Sequence, residues 1–280
     1  KVAPYGCQLM FAYCTNLDTV TNLTINHVSH NGLDQMFSTS GIDTIGNIYT
    51  KKVDYQGCYR MFTGCTALTK AGLLKADTVG YQGWYQMFLN ASTAAGSKYD
   101  SISVGLVDTL GMQQMFYNCT GMTQAPSLCA NKLDSAALNL LFERCTGNFT
   151  MNSFVVDTIE PMACCKMCTT YVESKKTYQT NLTAINNPIR VKIVKPLGCY
   201  QMFQSPGLTS LPAMRADTIQ ERGCYQMTKG STGLNTIGDL QAAFLQDSAC
   251  AFMFNTCTAL KNIGTLTAKY DNASAYYQMF

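Results

Sequence analysis

The pair Met-Phe, or a degenerate form of it, returns along this chain about every 26 residues, and that register restricts the fold more than any other feature. Anchors fall at Met10-Phe11, Met36-Phe37, Met61-Phe62, Met87-Phe88, Met115-Phe116, Met202-Phe203, Met253-Phe254 and Met279-Phe280. Weaker ones stand at Leu141-Phe142, Met167-Cys168 and Met227-Thr228. Successive anchors lie 26, 25, 26, 28, 26, 26, 35, 25, 26 and 26 residues apart. A period of this length marks stacked supersecondary units, none of which closes a core by itself.

Within a unit, Cys58, Met61, Phe62 and Cys65 stand at i, i+3, i+4 and i+7, and Cys250, Met253, Phe254 and Cys257 repeat the pattern. That spacing predicts one face of a short helix. Asp77-Thr78, Asp157-Thr158 and Asp217-Thr218, about ten residues upstream of an anchor, suit the helix N-cap. Downstream, Cys65-Thr66-Ala67-Leu68-Thr69 leads into a stretch that suits a short strand. The expected architecture is an α/β repeat solenoid, a leucine-rich-repeat-like stack of about eleven coils. Each coil pairs a short helix with a short strand in a parallel sheet. Met10, Phe11, Met36, Phe37, Met61, Phe62, Met87, Phe88, Met115, Phe116, Met202, Phe203, Met253 and Phe254 form the expected core.

The 35-residue interval after Met167 divides the array. Residues 1–168 read as its first part, 169–196 as an irregular coil with an insertion, and 197–280 as its second part. The insertion carries Lys175, Lys176, Asn186-Asn187-Pro188 and the alternating Val191-Lys192-Ile193-Val194. Lys1 falls inside a repeat and the final Met-Phe pair closes on an anchor, so a segment of a longer chain is expected.

The unit Gly-Cys-Tyr-x-x-Met-Phe-x-x-Cys-Thr-x-Leu-Thr, clearest at Gly57 to Thr69, Gly198 to Thr209 and Ala249 to Leu260, resembles the repeats of BspA-like leucine-rich-repeat surface proteins. The resemblance covers essentially the whole chain, with degraded units at 89–107, 134–156 and 168–196. It implies a helix- and strand-bearing solenoid on a cell surface, attached to host proteins or to other cells. It brings no catalytic motif.

Charged residues are only 13% of the chain and the net charge is +3, too small to argue for nucleic acid or an anionic membrane. No apolar run is long enough for a membrane span. The cysteines number fourteen, mostly three residues before the anchor Met or three after the anchor Phe, which suits small buried thiols stacked as ladders. Disulfides between adjacent coils remain open where neighbours both carry Cys, as with Cys199 and Cys224. Cys164-Cys165-x-x-Cys168 lacks the further ligands of a closed zinc site. His27 and His30 are the only histidines, so no catalytic residue, metal or cofactor is expected.

One polar pattern remains. Gln35, Gln86, Gln114, Gln201, Gln226 and Gln278 directly precede the anchor Met, and Tyr59, Tyr85, Tyr200, Tyr225 and Tyr277 sit one place earlier. Stacking should align them along the solenoid, either as a ligand surface or as a solvated face whose members bond one another. The expected function is extracellular, non-enzymatic recognition or adhesion, with a protein or glycan of a host or neighbouring cell as partner. The alternative is a structural component of a virion (tail fibre or capsid decoration) or surface filament, packed on copies of itself or on capsid proteins.

Overall fold

The computed structural model describes residues 1–169 and 180–280, with the backbone of Tyr171–Val172 and Thr177–Tyr178 between them. Among these residues there is no helix. The chain is a parallel β-solenoid, and the α/β leucine-rich-repeat-like stack expected from the spacing is overturned.

One side of every coil is strand. The first four strands are long: β1 (Thr19–Val28), β2 (Thr44–Val53), β3 (Lys70–Val79) and β4 (Ser97–Val107). Later coils break this side into two pieces. These are β5 (Met122–Ala125) and β6 (Ser127–Leu133), then β7 (Phe149–Met151) and β8 (Phe154–Ile159). The separate pair β9 (Tyr171–Val172) and β10 (Thr177–Tyr178) follows. The two-piece pattern resumes with β11 (Leu182–Ile185) and β12 (Ile189–Val194), and β13 (Ser210–Leu211) and β14 (Met214–Ile219). It ends with β15 (Thr236–Ile237) and β16 (Leu240–Leu245), and β17 (Asn262–Ile263) and β18 (Leu266–Asp271).

Two parallel ladders diverge from β4, one through β6, β8, β12, β14, β16 and β18, the other through β5, β7, β11, β13, β15 and β17. Pro126, Pro188 and Pro212 fall at three of the breaks, where a residue without an N–H suits a gap in the ladder. Asn22 Oδ1 accepts from the Asn47 N–H, Asn47 Oδ1 from the Leu73 N–H, and Asp239 Oδ1 from the Thr265 N–H, which keeps neighbouring bends in step. Asp77-Thr78, Asp157-Thr158 and Asp217-Thr218, expected as helix caps, lie inside β3, β8 and β14.

The Met-Phe side, expected to be helical, is a ribbon of overlapping four-residue turns. Gly57 and Cys58 are buried, Tyr59 and Arg60 face outward, Met61 and Phe62 are buried, Thr63 and Gly64 face outward, and Cys65 is buried. The period is four residues. The Cys58 carbonyl accepts from the Met61 N–H, and Arg60, third in that turn, has φ 48. A positive φ at this place is what a type II turn requires. Gln56 (φ 48), Arg60 and Gly64 (φ 69) repeat it every fourth residue, as do Gln82, Gln86 and Asn90 in the next coil. Left-handed conformations cost non-glycine residues about 1–2 kcal/mol each, so the ribbon persists through what the geometry permits. It lets alternate N–H groups leave the coil. The N–H groups of Cys58, Arg60, Phe62 and Gly64 donate to the carbonyls of Gly83, Tyr85, Met87 and Leu89 in the following coil. Every bond of this set runs in the same direction.

The core lies between ladder and ribbon. The inward column Val28, Val53, Val79, Val107, Leu133, Ile159, Val194 and Ile219 faces the buried Met and Phe columns. Phe37, Phe62, Phe88, Phe116 and Phe142 stack face to face at centroid distances of 5.2, 5.3, 5.3 and 5.4 Å. Of the expected core residues, Met10 is 59% exposed and Phe11 half-buried, both in the first coil; the others are buried.

The fourteen cysteines are all free, including Cys199 and Cys224. Those three residues after the anchor also act as corner donors. The Cys65, Cys119 and Cys145 thiols reach the carbonyls of Phe37, Phe88 and Phe116 at 3.1, 3.1 and 2.9 Å. Ser231 and Thr180 place hydroxyls on the Phe203 and Phe142 carbonyls. Cys145→Val should therefore cost about 1 kcal/mol more than Cys145→Ser in denaturant unfolding, since only serine keeps a donor for the Phe116 carbonyl. Equal losses would reduce the column to packing. Burial pushes the Cys58 thiol up to about 12.

The long interval after Met167 interrupts neither ladder. β8 pairs directly with β12, Val156 opposite Val191, so Val191-Lys192-Ile193-Val194 is a regular rung. Asn186-Asn187-Pro188 forms the bend before it. β9 and β10 pair antiparallel apart from both ladders. Lys175 and Lys176 lie outside the described residues.

Candidate binding surface

The outward positions of the ribbon form columns, because each turn sits over its counterpart in the next coil. Arg60 Nε donates to Gln86 Oε1 at 2.8 Å, Gln86 Nε2 to Gln114 Oε1 at 2.8 Å, and Gln114 Nε2 to Glu143 Oε2 at 2.6 Å. The Tyr85 hydroxyl donates to the same Gln114 oxygen at 3.2 Å. In a later block Gln201 Nε2 donates to Gln226 Oε1 at 3.1 Å. Gln35, Gln86, Gln114, Gln201, Gln226 and Gln278 all occupy the left-handed position before Met, so the backbone aims them alike.

The tyrosines stack beside this amide ladder. Tyr59 lies on Tyr85 at 5.6 Å, and Tyr200 on Tyr225 at 6.0 Å. Tyr225 and Tyr277 meet Phe252 edge-on from either side. The Arg60 guanidinium covers the Tyr59 ring at 4.9 Å. Burial, with Tyr59 alongside, raises the Tyr85 phenol above its ordinary value, and burial does the same for Tyr200, so both keep their protons at neutral pH. In the pairs Tyr59–Tyr85 and Tyr200–Tyr225 one face of each ring is covered by its stacking partner.

The two blocks are separated by Leu140, Cys165 and Lys166, where the Tyr/Gln pattern lapses. Arg60 and Phe252 occupy the ladder position before Met, and Glu143 joins the ladder from the residue after its anchor; the Tyr-Gln spacing singled out none of the three. Nor did it single out a second outward column, in which exposed Tyr55 and Tyr81 stack at 5.8 Å and Gln56 Nε2 donates to Gln82 Oε1 at 3.0 Å. It lies four residues upstream, and reading a period of four would have found it.

Other candidates stand apart from this surface. His27 Nε2 lies 2.7 Å from Asp54 Oδ2, and Lys52 Nζ 2.9 Å from Asp54 Oδ1. Burial raises the Asp54 carboxyl, but the hydrogen bonds from Lys52 and His27 outweigh it and hold the group below its ordinary 3.8. The stabilisation this represents is present above pH 3.8 and is lost as pH falls through the lower folded value. Asp54→Asn should lower stability near pH 7, where the pairing is present, and converge with the parent as pH falls below about 4, so that its acid limb is flatter; an unchanged acid limb would remove the pairing. Cys164, Cys165 and Cys168 are buried, and no group of three or more His, Cys, Asp or Glu side chains converges among the described residues.

No protein-family model, curated protein or solved structure matches the chain.

Proposed function

We propose that this chain is an extracellular, non-enzymatic recognition module that binds its partner through the outward Tyr/Gln columns of the turn ribbon. The observation that carries this reading is the ladder running from Arg60 through Gln86 and Gln114 to Glu143, in which each side chain is held by the next. Polar groups ordered before contact lose little entropy on binding, and tyrosine supplies broad contact area with few rotatable bonds. The partner is a protein or a glycan of a host or neighbouring cell. The BspA-like repeat pattern supports a cell-surface setting and an adhesive role.

The test is capture from host-surface and neighbouring-cell extracts, followed by affinity measurement with the purified partner. Tyr85→Ala with Gln114→Ala, and Tyr200→Ala with Gln226→Ala, should each weaken binding by about tenfold or more, as expected when contact area and ladder are lost together. Affinity unchanged in both double variants would overturn the assignment of the surface. Association only with copies of itself or with capsid proteins would favour a structural component of a virion or filament.

A further inference from the structure

A small, partly open cavity lies between the last ladder strands and the ribbon, and four sulfur atoms belong to residues that line it. Met214 comes from β14, Cys250 and Met253 from the ribbon after β16, and Met279 from the next coil. The cavity measures about 20 Å³, room for a single atom rather than an organic molecule. All four residues are buried, with exposures of 3, 4, 1 and 3%. The remaining lining is largely hydrocarbon, including Ile219, Leu240 and Leu245; its polar members are the exposed strand residues Gln241 and Thr267 and the half-buried Tyr276.

We propose that this cavity is a binding site for one soft monovalent metal ion, of the Cu(I) class, held by the Cys250 thiolate and the thioethers of Met214, Met253 and Met279. Donor type excludes the common alternatives. Magnesium and calcium take oxygen ligands, and no carboxylate lines the cavity. Thiolate and thioether sulfur favour Cu(I), zinc and iron–sulfur clusters over the hard cations. Charge then fixes the valence. The Cys250 thiol gives its proton to solvent as the metal–sulfur bond forms, so a monovalent ion replaces H⁺ and the buried site stays neutral. A divalent ion on one thiolate would leave a net positive charge in a hydrocarbon wall, which is strongly unfavourable. Methionine's three rotatable bonds let the thioethers close on the ion without moving the backbone.

The test uses the full chain with exposed Cys14 and Cys129 changed to Ser, so that surface thiols do not compete. Under anaerobic, reducing conditions Cu(I) is added against a Cu(I)-selective chelator, and Ag(I) serves as a redox-inert second probe. Native mass spectrometry should show one ion per chain and no retained Zn(II). Affinity should rise about tenfold per pH unit, because one proton leaves. Cys250→Ser should abolish retention, and Met253→Leu, which conserves volume and preserves the fold, should weaken it at least several-fold. Cys224→Ser, one coil away in the same thiol column, should leave it unchanged. The proposal is overturned if no ion survives the chelator, if Zn(II) is retained equally, or if Cys250→Ser and Met253→Leu bind as well as the parent. It is also overturned if the metal spreads over the buried thiols, with Cys224→Ser costing as much as Cys250→Ser.

Discussion

Phe88→Ala is expected to lower stability by about 3–5 kcal/mol, the range for emptying a buried aromatic site. Phe88 lies between Phe62 and Phe116 at 5.3 Å on each side, and the Tyr99 ring meets its edge at 5.3 Å. Removing the ring opens a cavity shared by three coils, with stacked walls that have no short path to collapse. Phe203→Ala supplies the comparison, because its ribbon neighbours are Cys168 and Thr228, and its nearest ring among the described residues, Phe154, lies 6.4 Å away. Its loss should fall at the lower end of that range. Chemical unfolding followed by coil-resolved hydrogen exchange separates local from global loss, since stacked repeats do not always unfold as one unit. A loss below about 1 kcal/mol for Phe88→Ala would contradict a continuous aromatic stack.

Gly121→Ala should cost about 3 kcal/mol, at the upper end for an overpacked site. A β-carbon there would lie 2.0 Å from the Ala94 carbonyl oxygen and 2.5 Å from its carbon, both backbone atoms of the preceding coil. Neither can turn aside, so the coils must part between β4 and β5. Gly57→Ala makes the contrasting case. Its added carbon would meet a Val53 methyl at 2.7 Å, and Ala137, Ala163, Ala249 and Ala275 occupy the equivalent place in other coils. A cost under about 1 kcal/mol is expected for Gly57→Ala. Similar losses at the two positions would mean that backbone approach does not set coil spacing at Gly121.

The repeat, the parallel stacking and most of the Met/Phe core could be read from the residues, because a stacked column keeps its identity from coil to coil. The helix could not be separated from the turn ribbon. Cys58, Met61, Phe62 and Cys65 satisfy a period of 3.6 and a period of four equally well over so short a stretch. The deciding residue was Gly57, buried beside Cys58 in the extra inward place that a four-residue period creates. Its column mixes glycine with alanine at Ala137 and Ala163, so the identity varies while the small size does not. Most left-handed positions were equally hidden, since they carry residues such as Gln, Arg, Leu and Met; only a few, such as Asn31, Gly64, Asn90 and Asn118, hold the asparagine or glycine that usually signals them. The thiol-to-carbonyl bonds of Cys65 and Cys145 join residues 28 and 29 apart, a pairing visible only once coils are stacked. The Tyr/Gln columns were legible as a line, but their ring-on-ring arrangement required three dimensions.

The one-way bonding of the ribbon has an electrical consequence. The peptide whose carbonyl receives the Cys7 N–H, at Gly32, passes its own N–H from Leu33 to Gly57, and the relay continues through Gly83, Gly111, Ala137, Ala163, Gly198, Gly223, Ala249 and Ala275. A parallel relay runs along the Met-Phe column from Phe11 to Met279. Aligned peptide units add their dipoles as they do in a helix, and each bond polarises the next. The column at the strand ends runs the opposite way, from the Asp54 N–H to Val28 and onward to the Asn272 N–H on Leu245, and offsets part of the sum. A chain with a formal side-chain charge of only +3 therefore carries a permanent moment along its long axis. In an applied field such a rod orients head to tail, and two of them lying side by side are attracted when they point in opposite directions.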